Sequence, residues 1–151
     1  MPERLFGEVP GYPEGTTFGS RWELHEAAVH RPTMAGICGS EVDGAESIVV
    51  NGGYEDDDDQ GDVIVYTGHG GNDMTTGEQH ANQDLTRGNL ALARNSENRR
   101  PVRVIRGAKS GNFGPNYGFR YDGLYRVEKY WRESGKSGYS VWRFRLVKTL
   151  A

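Results

Sequence analysis

Apolar residues along this chain occur in short runs separated by glycine-rich turns, a pattern typical of a strand-dominated fold. Residues 47–50 form one buried apolar run, and residues 63–66 form a second that we expect to lie beside it. Valines alternate with arginines over 101–106, which predicts a half-buried strand. Two longer alternating runs, 124–131 and 139–147, flank the turn E-S-G-K-S-G and therefore predict a hairpin.

Helical patterns are few. Thr86 can cap a helix that runs to about Asn95, with Leu90 to Leu92 on its inner face. Residues 16–29 fit either a strand or a short helix, and Pro32 would end any helix there because it restricts the preceding residue. The other glycine-rich or polar stretches are predicted to be extended or looped: 1–15, 33–44, 72–83 and 109–120.

Length and composition agree with this pattern. We expect one α+β domain over residues 1–151, built on a strongly curved mixed β-sheet or barrel with one or two short helices. A single cysteine, Cys38, excludes a disulfide framework within the chain and is expected to be a buried thiol. No apolar run is long enough to cross a membrane, and residues 1–13 are too polar for a signal peptide. We therefore expect a cytoplasmic protein, associated with the nucleoid if bacterial, or a nuclear one if eukaryotic.

Charge is distributed very unevenly, although the net charge is only −3. Residues 1–86 hold 3 Lys+Arg against 17 Asp+Glu, whereas residues 87–151 hold 15 against 4. This asymmetry favours a basic face that binds nucleic acid, separate from an acidic patch. Alternatively, the two halves neutralise each other by pairing across one fold.

Residues 51–71 combine two tyrosines, a carboxylate cluster and several glycines around one short apolar run. Tyr54 and Tyr66 can supply two flat aromatic walls, and glycines allow the backbone to approach whatever lies between them. Asp57 could accept hydrogen bonds from an amino group held there. These features predict a slot for a flat, amine-bearing ring, such as a nucleobase turned out of its stack. A free nucleotide or an RNA base would fit the same description.

The acidic run could instead bind calcium or form a solvated turn. An EF-hand pattern started at Asp56 places Gly61 correctly, but Gln60 and Thr67 stand where a ligand and the closing glutamate belong. We therefore expect no metal. Asp56 and its neighbours are expected to be solvated, or to orient Asp57 and nearby loop amides.

Catalytic chemistry is also disfavoured. The four histidines have no cysteine or carboxylate partners at zinc spacing, and the deaminase signature H-x-E…C-x-x-C is absent. No serine or cysteine nucleophile and no endonuclease motif stands in a recognisable setting. His69 could act as a base, but a place in the pocket wall is favoured. We expect a non-catalytic domain that needs no cofactor.

Several of these stretches together resemble the SRA (SET- and RING-associated, or YDG) domain family, in family order and over nearly the whole chain. This resemblance implies a PUA-like curved β-barrel that binds duplex DNA and flips a 5-methylcytosine into a pocket. The matching stretches are F-G-E-V-P-G (6–11), A-V-H-R-P (28–32), A-G-I (35–37), D-G-A (43–45), G-G-Y-E-D-D (52–57), Y-T-G-H-G-G (66–71), N-L-A-L-A (89–93), P-V-R-V-I-R (101–106), Y-D-G (121–123) and K-S-G-Y-S-V-W-R-F (136–144).

The resemblance also implies roles for individual residues. Tyr54 and Tyr66 match the pair that sandwiches the flipped base, a stacking interaction worth about 1–3 kcal/mol per base. Asp57 matches the carboxylate that accepts the cytosine amino group and would repel the carbonyl oxygen of thymine. Thr67 and Gly68 match backbone groups that address the opposite edge of the base. The wall facing the ring methyl would be formed by Gly52, Gly53 and the residue at position 69.

Other positions match the DNA-contacting surface of the family. Arg31 and Met34 lie in the segment resembling the loop that enters the minor groove, where Met34 could fill the space left by the base. An ordinary core position for Met34 is the alternative. The candidate phosphate contacts are Arg94, Arg99, Arg100, Arg103, Arg106, Lys109 and Arg120.

The sequence departs from the family pattern beside the expected methyl wall. Position 69 is His69 where serine is common, and position 51 is Asn51 where a smaller residue is usual. 5-Hydroxymethylcytosine is therefore an alternative ligand. The loop 72–83 is shorter than in the animal hemimethylation readers and lacks their Asn-Lys-Arg finger, so strict hemimethylated-CpG specificity is not expected.

These inferences predict a domain that binds double-stranded, methylated DNA by base flipping. Because one methyl group contributes only about 0.8 kcal/mol on burial, we expect a modest preference over unmodified cytosine. The alternative is the recognition module of a modification-dependent restriction endonuclease, with the nuclease in another domain or a partner protein.

Overall fold

A computed structural model describes residues 4–52, 54, 56–71, 76 and 78–149. Gly53, predicted to belong to the methyl wall, lies outside the described residues, as does much of the predicted loop 72–83. The described chain forms eight strands, two α-helices and one 3-10 turn. The strands are β1 (Thr17–Phe18), β2 (Ile37–Ser40), β3 (Gly44–Val50), β4 (Asp58–Asp59), β5 (Val63–Thr67), β6 (Val102–Gly107), β7 (Phe119–Ser134) and β8 (Ser140–Lys148); the helices are α1 (Arg21–Glu26), α2 (Arg87–Asn98) and the 3-10 turn Ala108–Ser110.

All eight strands belong to one mixed sheet in the order β2-β3-β6-β7-β8-β5-β4, with β1 paired to β7. β3 and β6 run parallel, and the other paired strands are antiparallel. Among the described residues β2 and β4 remain at opposite edges, so the sheet is curved and open. The predicted α+β class and strongly curved mixed sheet with two short helices are confirmed; of the two predicted forms, sheet or barrel, the described strands form the open sheet.

The strand order shows that one predicted pair of neighbouring strands is wrong. The runs 47–50 and 63–66 do form strands, but β6, β7 and β8 separate them in the sheet. β5 pairs instead with β8, where Tyr66 lies opposite Phe144. The predicted hairpin is confirmed as β7 and β8, although β7 begins at Phe119, inside the predicted loop 109–120.

Apolar clusters cover the sheet on both faces. The larger cluster includes Ile48, Leu92 and Phe144 and packs beneath α2, while the smaller includes Leu24 and Ile105 and packs beneath α1. Every residue of β6 is consequently buried, so the prediction of a half-buried strand over 101–106 is wrong. The second face of β6 is buried by chain segments that are distant in sequence. The alternation of apolar and charged residues within β6 does not reveal those segments.

The helices follow local signals closely. Thr86 is the N-cap of α2 as predicted, and the helix ends at Asn98. The ambiguous segment 16–29 holds both a short strand and α1, whose N-cap Ser20 accepts a hydrogen bond from the Glu23 N–H. β2 was predicted as loop because I-C-G-S lacks a run of strand formers, and its pairing with β3 creates the strand. Cys38 of this strand is a buried free thiol, as expected. No helix in the described part of the chain has the length and apolar character needed to span a bilayer.

Candidate functional site

A cavity of about 340 Å³ opens beside the ends of β3 and β5, and we call it the base slot. Its volume lies at the lower end of the range typical for small-molecule sites. Residues predicted from two separate stretches of sequence meet in its wall. They are Met34, Asn51, Tyr54, Asp57, Tyr66 and His69, joined by Arg21 from α1.

Tyr66 forms a rigid wall of the base slot. It belongs to the larger apolar cluster and is only 3% exposed. Its hydroxyl donates to the carbonyl oxygens of Val49 at 3.3 Å and Gly36 at 3.4 Å. A Cβ on Gly36 would lie 3.1 Å from that hydroxyl, so glycine permits this close approach. The ring is therefore held in place by the core before any ligand arrives.

Tyr54 is the second aromatic residue of the slot. Its side chain is half-buried, and its hydroxyl accepts a 2.8 Å hydrogen bond from the backbone N–H of Gly70. Burial raises the pKa of both tyrosines, so both are neutral at physiological pH. The slot thus presents two uncharged aromatic side chains in one cavity.

Asp57 supplies the carboxylate of the slot. It is half-buried, and its Oδ1 accepts a 2.7 Å hydrogen bond from the backbone N–H of Thr67. Burial raises the pKa of Asp57 to about 6, while hydrogen bonding from Thr67 and the charge of Arg143 act in the opposite direction. The group is therefore mostly ionised at neutral pH and can accept hydrogen bonds from an amine.

The neighbouring aspartates anchor the segment that carries Asp57. Asp56 is buried and accepts a 2.8 Å hydrogen bond from the backbone N–H of Lys136 in the β7–β8 turn. Asp59 accepts two hydrogen bonds from the Arg106 guanidinium, at 2.7 and 2.8 Å. Solvation was therefore the wrong alternative for Asp56 and Asp59. No cluster of three or more metal-ligating side chains forms within the described residues.

The backbone after Tyr66 is held by two amide side chains that sequence reasoning missed. Asn89 of α2 accepts from the His69 N–H at 2.8 Å and donates to the His69 carbonyl at 3.1 Å. Gln83 donates to the Gly68 carbonyl at 2.5 Å and accepts from the Trp142 N–H. A Cβ on Gly68 would lie 2.6 Å from Asn89 Oδ1, which explains glycine there. A buried asparagine on the inner face of a predicted apolar helix was the available signal.

His69 and Asn51, the two departures from the family pattern, both line the slot. Burial and the nearby positive charge of Arg87 lower the pKa of His69, so its imidazole is neutral at pH 7. Asn51 Oδ1 accepts a 3.0 Å hydrogen bond from the Lys109 N–H. Arg87 and Lys109 are both exposed, and each neighbours a residue of the slot: Arg87 lies near His69, and Lys109 is bonded to Asn51. The sequence predicted a phosphate contact at Lys109 but not at Arg87.

The loop that carries Met34 is anchored beneath its exposed tip. Arg21 donates to the carbonyl oxygens of Pro32 at 3.0 Å and Ala35 at 2.6 Å. His30 bridges the Ala35 carbonyl and the Ser47 hydroxyl, and burial lowers its pKa to about 3. Met34 itself is 85% exposed at the edge of the slot, so the alternative of a core methionine is wrong.

Several predicted DNA-contacting arginines serve the fold instead. Arg103 is completely buried and donates to main-chain carbonyls, including that of Val29. Arg106 is 4% exposed and is paired with carboxylates. The prediction that these two contact phosphate is wrong. Arg31 pairs with the buried Glu46, and Arg120 with Asp122.

Ion pairs between the two halves of the chain account for much of the charge asymmetry. They are Arg100–Asp43, Arg103–Glu46, Arg106–Asp59 and Lys148–Glu14. Of the predicted phosphate contacts, Arg99, Arg100 and Lys109 remain exposed, although Arg100 is paired with Asp43. Arg94 is partly exposed and donates to the Glu41 carbonyl.

Comparison with known proteins places this fold and slot in a defined class. The sequence matches the SAD/SRA domain over residues 5–150, and the chain belongs to this family. It is 44% identical over 167 residues to the E3 ubiquitin-protein ligase UHRF1 of Rattus norvegicus, covering 97% of this chain and 22% of that protein. The chain therefore spans about a fifth of the length of the curated relatives it matches.

Two solved structures are closely similar. The modification-dependent TagI restriction endonuclease superposes with a TM-score of 0.93 at 45% identity, covering 99% of this chain and 54% of that one. The SRA domain of SUVH5, solved bound to fully hydroxymethylated CG DNA, gives a TM-score of 0.83 at 41% identity. That match covers 98% of this chain and 96% of the SUVH5 chain.

Proposed function

We propose that this domain binds double-stranded DNA containing 5-methylcytosine by turning the modified base into the base slot. The observation that carries this proposal is the convergence of Tyr54, Tyr66 and Asp57 on one cavity. Two aromatic faces favour any base, and an ionised carboxylate favours one that offers an amino group. Relatives solved with fully methylated and fully hydroxymethylated CG DNA support the same ligand class.

The surroundings of the slot support a ligand that arrives from duplex DNA. Met34 projects from an anchored loop at the edge of the cavity, where an apolar side chain could occupy the position vacated by the base. Arg87 and Lys109 lie at the rim and could contact phosphates. The domain would act wherever its DNA is located, without catalysing a reaction itself.

A binding panel tests this function. One duplex sequence would carry cytosine, 5-methylcytosine, 5-hydroxymethylcytosine or thymine at a single site, on one strand or on both, at fixed salt. We expect modified cytosines to bind several-fold more tightly than cytosine, and thymine to bind as weakly as unmodified DNA. 2-Aminopurine beside the site should brighten on binding if the base leaves the stack. Equal affinity for all four bases would contradict the proposal.

A second candidate is the recognition module of a modification-dependent restriction system. The similarity to TagI favours it, since this chain corresponds to only 54% of that endonuclease. Cleavage would then require a nuclease domain elsewhere. Incubating methylated plasmid and a divalent metal with this chain, and separately with any longer native protein, distinguishes the two. Cutting only by the longer protein would support the restriction role.

A further inference from the structure

A second cavity, of about 490 Å³, shares Asp57 with the base slot, and we call it the rear cavity. Asp57 lines both cavities. Side chains alternate along β5, so Tyr66 joins the core and the base slot while Thr67 points to the opposite face. Arg143 of β8 lies directly opposite Thr67 in the sheet and lines the rear cavity.

Arg143 is unusually enclosed for a strand arginine. Only 11% of its side chain is exposed, and one nitrogen donates to Glu133 at 3.1 Å. Its Nε is buried without a hydrogen-bond partner among the described residues. Burial of a guanidinium with an unpaired N–H is costly, so a counter-charge nearby is needed to offset it. Glu133 supplies one such charge, and the carboxylate of Asp57 lines the same cavity as Arg143.

Charged and titratable groups face Asp57 from both cavities. Arg143 favours its ionised form and Asp56 opposes it, so Arg143 offsets part of the effect of burial. When a flat ring fills the base slot, water is excluded from that side and only the rear cavity remains polar. The groups in question are Asp56, Asp58, Glu133, Lys136 and Arg143 in the rear cavity, and Arg21, Tyr54, Tyr66 and His69 in the base slot.

We propose that Arg143 is a positioning residue for base selection, holding Asp57 in its ionised form from the rear cavity while the base occupies the slot. Arg143 itself would touch no DNA. An ionised carboxylate can only accept hydrogen bonds, so it favours the amino group of cytosine and repels the carbonyl oxygen of thymine. A protonated carboxyl can donate and would weaken that distinction. This inference rests on the proposed function of Asp57.

The first test uses the free protein and needs no DNA. The ¹³C resonance of the Asp57 carboxyl would be followed by NMR from pH 4 to 9 in wild type, Arg143→Gln and Arg143→Lys. We expect the titration midpoint to rise by about one pH unit in Arg143→Gln and to stay near the wild-type value in Arg143→Lys. An unchanged midpoint in Arg143→Gln would overturn the inference, whatever the DNA results.

Two control variants separate charge from structure. Glu133→Gln weakens the hydrogen bond to Arg143 but keeps the positive charge, so the Asp57 midpoint should not rise. Arg145→Gln removes a similar charge two residues along β8, where Arg145 pairs with Glu128 instead. A midpoint that rose equally in all three variants would indicate general loosening and would also overturn the inference. If Arg143→Gln fails to fold, Arg143→Met, which keeps the aliphatic stem without the charge, takes its place with the same expected rise of the Asp57 midpoint.

The second test measures selectivity as a function of pH. The ratio of the thymine Kd to the 5-methylcytosine Kd would be measured between pH 5.5 and 8.5. In wild type the ratio should fall as pH drops through about 6, and in Arg143→Gln that fall should occur about one unit higher. An equal loss of affinity at every pH would instead identify Arg143 as a structural residue. If wild type shows no selectivity at any pH, the proposed function fails while the NMR result still decides the inference.

Discussion

The carboxylate of Asp57 accepts a 2.7 Å hydrogen bond from the backbone N–H of Thr67, the residue that follows the buried Tyr66. One strand end therefore positions both the aromatic wall and the group proposed to read the base. The burial that encloses Asp57 in the slot also makes its charge costly. Function and stability are consequently opposed at this residue.

Asp57→Asn should stabilise the folded protein at neutral pH. Burial raises the Asp57 pKa from 3.8 to about 6, so its contribution to stability is fully present below about pH 4 and is lost as pH rises through 6. Asparagine can still accept from Thr67 without carrying the charge. We expect the free energy of unfolding at pH 8 to rise by on the order of 1–3 kcal/mol.

Chemical denaturation of wild type and Asp57→Asn at pH 5 and pH 8 measures this effect. The difference in the free energy of unfolding between the two proteins should be larger at pH 8 than at pH 5. Asp58→Asn is the matched control, because Asp58 is exposed and accepts a hydrogen bond from the neighbouring Gln60 side chain. A destabilised Asp57→Asn at pH 8 would show that the charge strengthens the fold.

Tyr54→Ala should weaken binding to methylated duplex by about 1–3 kcal/mol, because it removes one stacking face. Tyr54 suits this test better than Tyr66. Truncation of Tyr66 would open a cavity in the core and cost about 3–5 kcal/mol of stability. Gel-shift titration with methylated and unmodified duplex measures the effect. Tyr117→Ala is the control, since Tyr117 is 81% exposed and does not line the base slot.

Met34→Ala should weaken binding and reduce base extrusion while leaving stability within about 0.5 kcal/mol, because the side chain is 85% exposed. The lost apolar contact with the vacated site is the physical reason. 2-Aminopurine fluorescence in the complex and thermal melting of the free protein measure the two effects. Val42→Ala, at 83% exposure in the β2–β3 turn, should change neither. A large drop in melting temperature for Met34→Ala would point to a structural role.

Arg87→Ala and Lys109→Ala should each reduce the slope of log K against log salt concentration by about one, because each would remove one phosphate contact. Both substitutions should weaken binding to methylated and to unmodified duplexes by the same factor. Fluorescence anisotropy at 50 to 200 mM salt measures the slopes. Arg126 lines a separate cavity with Arg99, which lies about 18 Å along α2 from Arg87 by the helix rise, so Arg126→Ala is the control. Unchanged slopes in both rim variants would place the DNA elsewhere.

Local patterns were sufficient to predict several elements. The turn E-S-G-K-S-G between alternating runs predicts the β7–β8 hairpin, and the Thr86 cap predicts the start of α2. The prediction fails where distant segments decide the environment. Arg103 stands between two valines as a solvent-facing residue would, yet it is bound by carbonyl oxygens of the segment after α1 and of the N-terminal segment. Arg106 is bound by Asp59 of the acidic run.

The base slot shows the same division. Tyr54, Asp57 and Tyr66 are identifiable in sequence because their chemistry is close together in one stretch. The supporting residues Gln83 and Arg143 are not, since nothing near them along the chain relates them to the slot. Asn89 is signalled only as a polar residue in a predicted apolar helix.

The amino-acid sequence by itself determined the side chains of the slot, the turns, and the strand and helix segments, because these depend on residue chemistry and local periodicity. Tertiary structure decided which charges are buried, which are free and which face Asp57. Those outcomes depend on strand order and cross-strand register, such as Arg143 opposite Thr67. Register is set by the packing of the whole sheet, so short-range sequence patterns do not contain it.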